Sequence, residues 1–272
     1  MCPTHSSGIA LMKRGIFEPQ IIKIIRTYVR KGYHYIDIGA NIGIHLLAAA
    51  FARISNNQEF IAFEPESAIF SILKRNCELN RLNFVDLREE GVGDQDVQLL
   101  LNISPTKNKG KHSFLSSKEL IPGYKVKVQK IDSIFYGENI NKPYIIKIDT
   151  EGFEYKILEG GRKFFKEITE CAVIIEVTPA DLKLYNKCIQ DVVNILKKSG
   201  FNNWLVIGDN ETFNDSGKMI YSFFNMLFIK GNKTMDIYNY YLNDIDFLSV
   251  DIFPDMLKTL TETGVNLGAD NN

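Results

Sequence analysis

Asp37, Gly39, Asn41 and Gly43 fall at alternate positions where the apolar run Tyr35-Ile36-Asp37-Ile38 gives way to a Leu/Ala-rich stretch. An acid closing a strand, followed by glycines that admit positive φ and close backbone approach, makes a turn able to cradle a ligand. Ala40 lies inside that turn. Glu64 closes a second apolar run, Phe60-Ile61-Ala62-Phe63, roughly 20 residues further on, the spacing at which an open α/β sheet presents an acid to a ribose. Pro65 has no N–H to donate, so the strand stops there and leaves the carboxylate at its edge. The loop lacks the Gly-x-Gly-x-x-Gly spacing that crowds a pyrophosphate against the backbone, because position 41 is Asn.

A second constellation runs Pro143-Tyr144-Ile145-Ile146-Lys147-Ile148-Asp149-Thr150-Glu151-Gly152. Lys147 and Asp149 alternate onto one face of a buried strand, and ionic groups are costly there unless they are paired or employed in chemistry. Asp149 or Glu151 is placed to accept a proton from, or hydrogen bond to, an acceptor, with Lys147 and Glu176 lining the substrate side. The plainer alternative makes Lys147 a structural ion-pair partner and Glu151 a helix cap. His45, in the first turn after the glycine loop, competes as the base. His112 sits in the Lys-rich segment Lys107-Asn108-Lys109-Gly110-Lys111-His112-Ser113, which reads as a substrate-facing flap or as a solvated loop.

These residues need a frame, and the hydrophobic pattern supplies one. Strands are expected at 34–38, 59–63, 84–88, 144–148, 171–176, 203–207 and 223–230. Helices are expected at 18–31, 43–54, 66–80, 153–167 and 181–199. Alternation of this kind implies an α/β fold with a mainly parallel sheet and helices on both faces. No helical pattern separates 203–207 from 223–230, so the last strand should run antiparallel. The expected organisation is a lead-in helix over 1–33, a main domain over 34–231 with an insert at 92–142 holding two paired strands, and an acidic, aromatic extension over 232–272. That extension is too apolar for a free tail, and a homodimer through it is one outcome.

With 272 residues, 45% hydrophobic and 24% charged, the chain can bury a substantial core, and a formal net charge of −1 supplies no global attraction to nucleic acid. The four cysteines show no metal-ligand spacing, so no metal is expected and the thiols read as free, in a reducing compartment. With no basic region followed by an apolar core and no window of roughly 18 apolar residues, a cytoplasmic location without membrane spans is expected.

Asp37 through Gly43 and Phe63-Glu64-Pro65 are joined by Lys74-Arg75-Asn76 through Asn80, Gly91-Val92-Gly93-Asp94, Lys130-Ile131-Asp132 and, most specifically, Lys147 through Gly160. Over about 17–178 the chain resembles the FkbM-type S-adenosylmethionine-dependent methyltransferases. The resemblance implies a class I, Rossmann-like seven-stranded sheet and S-adenosyl-L-methionine as cofactor. It places the methionine end at Asp37, Gly39, Ala40, Asn41 and Gly43, the ribose at Glu64 and Pro65, and further cofactor contacts at Gly91 and Val92. Transfer to a hydroxyl of a sugar, glycan or related small molecule is the implied activity. Two other readings stay open. A nucleic-acid methyltransferase lacks support from Asn141-Lys142-Pro143-Tyr144, which is one residue off the motif for an amino acceptor, and a non-catalytic S-adenosylmethionine-binding partner is opposed by the retained strand-end acids.

Overall fold

The computed structural model describes residues 17–103, 113–114, 121–135, 137–207, 224–242 and 247–248. Helix α1 (Pro19–Arg30) opens with proline at its first turn and buries Ile21, Ile24, Ile25, Tyr28 and Val29, the stripe that a 3.6-residue period dictates. The main sheet is built from β1 (His34–Ile38), β2 (Phe60–Phe63), β3 (Val85–Arg88), β7 (Tyr144–Ile148), β8 (Cys171–Val177), β9 (Asn203–Ile207) and β10 (Phe224–Lys230), with a two-residue edge strand β11 (Phe247–Leu248). Their order is β11-β9-β10-β8-β7-β1-β2-β3. Parallel pairing links β3, β2, β1, β7 and β8, whereas β10 runs antiparallel to both β8 and β9. The seven-stranded, mostly parallel sheet with a reversed last strand is therefore present, extended at one edge by β11.

Strand order reverses beside β1, whose neighbours are β2 on one side and β7 on the other. A crevice forms outside the carboxyl ends of strands at such a switch point. The pleat sends alternate residues to opposite faces. Ile36, Ile38, Ile146, Ile148, Val173 and Ile175 pack on one side, where α5 (Glu154–Gly160), α6 (Arg162–Glu167) and α8 (Ile189–Lys198) cover them. Tyr35, Ile145, Ala172 and Ile174 face the other side, under α1, α2 (Ile44–Ala50), α3 (Ser67–Leu79) and α9 (Asn232–Tyr241).

Two expected helices are each divided. The pattern at 153–167 breaks at Gly161, and Gly160, the last residue of α5, has to be glycine because a Cβ there would meet the Gly93 carbonyl of β4 (Gly91–Gly93). The Asp132 carboxylate then accepts from the Phe164 N–H at 2.8 Å and starts α6. The pattern at 181–199 separates into α7 (Pro179–Leu184) and α8, the latter opened by Asp191 accepting from the Cys188 N–H at 2.9 Å. In the insert, β5 (Val97–Ile103) pairs antiparallel with β6 (Ile121–Lys130), and β4 joins β6 to make a separate three-stranded sheet. Of the expected flap, Ser113 is described and pairs with Asn102, while Lys107 to His112 lie outside the described residues. Helix α9 docks on α1: the Tyr28 hydroxyl donates to the Thr234 carbonyl at 3.1 Å, and the Tyr33 hydroxyl lies 2.8 Å from Thr234 Oγ1.

Candidate active site

Asp37 and Lys147 share the sheet face of Tyr35 and Ile145, and the parallel register of β1 and β7 sets them opposite each other. Glu176 follows Ile174 on that face of β8, and Asn225 stands opposite it on β10. The same face is covered by α1 and α2, so Glu18, ahead of α1, and His45, on α2, come to the same edge. One pleat thereby gathers ionisable groups from five segments that are far apart in sequence.

Lys147 is the cation at the centre. It is 3% exposed, and its Nζ donates to Asp149 Oδ2 at 2.6 Å. Burial alone would favour the neutral amine, but Asp149, Asp37 and Glu18 overcome that and hold its pKa well above the ordinary lysine value. Asp37 is 1% exposed, and neither of its oxygens has a hydrogen-bond partner among the described residues. Burial raises its carboxyl, against the pull of Lys147 and His45. At the end of β8, burial and then the like charges of Asp149 and Glu18 push the Glu176 carboxyl well above the usual range. The Asp149 side chain is 26% exposed, so this acid reaches the crevice while its partner stays buried.

The glycine loop is shaped as its sequence implies. Gly39 has φ +84°, and a Cβ on it would run into the carbonyl oxygen of Asp149, so glycine is required for the β1 and β7 ends to sit this close. Asn41 has φ +51° and Gly43 φ +89°. The Asn41 side chain accepts from the Ile42 N–H at 2.8 Å, and Asn76 on α3 donates to the Ile42 carbonyl at 2.7 Å. Glu64 ties the loop to β2: its carboxylate accepts from the Asn41 N–H at 2.9 Å and the Glu66 N–H at 2.9 Å. Burial pushes this carboxyl up to about 7, against those two N–H groups. Ala40 is buried and Pro65 half-buried beside it. Gly91 and Val92 lie in β4, paired with β6 in the separate three-stranded sheet.

Glu151 has φ +52° and Gly152 φ +98°, and the Ser113 hydroxyl donates to the Glu151 carbonyl at 2.7 Å. Glu154 was not singled out from sequence as a site residue, yet it sets this turn. Its Oε1 accepts from the Thr150 N–H at 2.7 Å, the Thr150 hydroxyl at 3.0 Å and the Gly152 N–H at 3.2 Å. An acid two residues after a positive-φ glycine at a helix start was the available signal. Burial raises the Glu154 carboxyl to about 7, opposed by the Thr150 N–H. His45 stands against Glu18, with Nε2 3.1 Å from Glu18 Oε2. No cluster of three or more His, Cys, Asp or Glu among the described residues is arranged to hold a metal ion.

The sequence profile of the methyltransferase FkbM domain matches residues 37–202, more than half the chain. The chain belongs to the FkbM methyltransferase family. Family membership implies S-adenosylmethionine as the methyl donor. The residues present fit that group: Asp37 offers two buried oxygens with no hydrogen-bond partner among the described residues, at the end of the strand that leads into the glycine loop. Among curated relatives, Methyltransferase 1 of Beauveria bassiana is 29% identical over 144 residues, covering 46% of this chain and 57% of the relative. Hexuronic acid methyltransferase AglP of Haloferax volcanii is 23% identical over 160 residues, covering 59% and 62%. The chain thus matches less than two thirds of either relative's length. Among solved structures, Methyltransferase FkbM from Methylobacillus flagellatus KT is 16% identical at a TM-score of 0.48, covering 72% of this chain and 43% of that one. An O-methyltransferase from Bacillus cereus in complex with SAH is also 16% identical, at a TM-score of 0.42, covering 82% and 87%. Strand order, not these two likenesses, defines the fold of this family member.

Proposed function

We propose that the chain is an S-adenosylmethionine-dependent O-methyltransferase acting on a hydroxyl of a sugar, a glycan or a related small molecule, in the cytoplasm. The observation that carries the reading is Asp149, a partly exposed carboxylate fixed by a buried lysine at the carboxyl end of β7, beside the glycine loop. The bound cofactor supplies a methyl group already activated on a sulfonium. What remains for the chain is to orient an acceptor oxygen and remove its proton. Lys147 engages Oδ2 of Asp149, which leaves Oδ1 to accept the hydrogen of an acceptor hydroxyl. Glu151 follows on the same turn, and Glu176 lines the neighbouring strand end as a hydrogen-bonding group for the acceptor.

Charge supports a hydroxyl over a carboxylate at the reacting position. Asp149, Glu151, Glu176, Asp37 and Glu18 outnumber Lys147 and His45 along this edge, and a second carboxylate brought beside Asp149 would meet like charge. The hexuronic acid methyltransferase among the relatives supports the sugar class. A net charge of −1 disfavours nucleic acid as the acceptor. Among the described residues no helix is long and apolar enough to cross a membrane.

The test is methyl transfer from isotopically labelled S-adenosylmethionine to a panel of glycosides, with products exposed to mild alkali. An alkali-stable methyl ether is expected. An alkali-labile ester would overturn the hydroxyl assignment, and no thermal stabilisation at saturating S-adenosylmethionine would overturn the cofactor.

A further inference from the structure

Three polar side chains stand in a row across the carboxyl ends of β7, β8 and β10. Glu176 on β8 is directly opposite Asn225 on β10 in the antiparallel register. β7 and β8 stay in parallel register through Ile148 and Ile175, which brings Asp149 level with Glu176, and the Asp149 N–H still reaches the Ile38 carbonyl at 3.0 Å. One pleat below, Lys147 is level with Ile174, and Lys147 donates to Asp149, so the three side chains rise from one face of the sheet. Neighbouring strands lie about 4.8 Å apart, which sets Asp149, Glu176 and Asn225 at successive intervals of that size. The residues directly beneath the row are buried, whereas Asp149, Glu176 and Asn225 are each half-buried. This row is where the sheet opens to the crevice.

The electrostatics agree with that placement. Burial and then the charge of Asp149 raise the Glu176 carboxyl, with Glu18 next. Burial also works to raise the Glu18 carboxyl, but His45, Lys147 and Asn225 outweigh it and hold it below the usual range. Asn225 therefore stands among acids, and it is the member of the row that donates a hydrogen bond at any pH, while carboxyl oxygens accept in either protonation state. A hydroxyl held in a site needs one partner of each kind. The hydroxyl facing Asp149 gives up its hydrogen there and has to keep its oxygen free to react. One strand further along, Glu176 accepts and the Asn225 amide donates, which is the complement that a second hydroxyl requires. Directly opposed across two strands, these two side chains are close enough to hold one oxygen together.

We propose that Glu176 and Asn225 together bind a second hydroxyl on the carbon next to the reacting one, so that the acceptor is a vicinal diol and its methylated product keeps one free hydroxyl. Asn225 is then a specificity-determining residue, contributed by a strand beyond the region that the family profile covers. The inference rests on the O-methyltransferase reading, and the measurements below separate the two.

Steady-state kinetics compare each methyl glycopyranoside that the enzyme methylates with its deoxy analogue lacking the hydroxyl beside the methylated position. The wild type is expected to lose about tenfold to a hundredfold in kcat/KM on the deoxy analogue, because the polar pair built for the missing hydroxyl is left unsatisfied. In Asn225→Leu, which keeps the volume and removes the amide, that penalty should shrink to about threefold or less. Glu176→Gln keeps an acceptor oxygen and should retain most of the discrimination. Calorimetry with S-adenosylhomocysteine should stay within about twofold of wild type in both variants, which puts the loss on the acceptor side. Equal kcat/KM on diol and deoxy acceptors in the wild type would overturn the diol assignment, and that comparison needs no variant to fold. An undiminished penalty in Asn225→Leu would overturn the role of Asn225. Both of those results leave methyl ether formation intact. Binding of S-adenosylhomocysteine with no methyl ether formed on any glycopyranoside would instead overturn the O-methyltransferase reading, and this inference with it.

Discussion

Lys147 stands opposite Asp37 across two parallel strands yet bonds along its own strand to Asp149, so one buried cation serves both the acid under the glycine loop and the acid at the crevice. Removing it strands charge on two elements at once. Lys147→Met should destabilise the fold by about 3–5 kcal/mol, the usual cost of breaking a buried ion pair from one side. Urea denaturation measures this, and Asp37→Asn added to Lys147→Met should recover part of the loss.

Asp149→Asn preserves size and most hydrogen bonding while removing a proton acceptor. Turnover should fall about 10²–10⁴-fold with S-adenosylmethionine affinity within a few fold, and Glu151→Gln should cost less. Full turnover in both acid variants would place the base elsewhere.

Gly39→Ala introduces a Cβ against the Asp149 carbonyl at φ +84°. Forcing the β1 and β7 ends apart should cost about 1–3 kcal/mol in stability. It should also abolish calorimetric binding of S-adenosylhomocysteine. Wild-type affinity in this variant would show that the loop tolerates separation from β7.

Glu64 and Glu154 both have carboxyls raised by burial from 4.5 to about 7. Between these values the folded chain binds more protons than the unfolded chain, so their contribution is complete below pH 4.5 and is lost as pH rises through about 7. The ligand-free protein should therefore show a higher urea midpoint at about pH 5 than at about pH 8, and Glu154→Gln should flatten that slope. A midpoint that climbs over this window would contradict the assignment.

The sheet and the crevice were legible because strand ends announce themselves: Asp37, Glu64 and Asp149 each close an apolar run, and Gly39 and Gly43 stand where the backbone must turn. Glu18 was not legible. Its Glu-Pro pair reads as an ordinary helix start, and its partner His45 lies 27 positions away on another element, so only packing reveals the contact. Gly160 likewise looks like one more residue of a helix, until the approach of the Gly93 carbonyl shows why no side chain fits there. Local periodicity reports which face a residue takes, not which distant backbone it will touch.

The hydroxyl of Tyr28 finds its acceptor at Thr234, 206 positions later, and Tyr33 meets the same residue. During synthesis, α1 emerges first but cannot satisfy these buried hydroxyls until α9 has left the ribosome. At typical elongation of about 5–20 residues per second, that interval is on the order of ten seconds or more. Throughout it, the apolar stripe of α1 has the nascent strands to pack on but lacks its final cover, which makes this helix an exposed surface for a chaperone to meet.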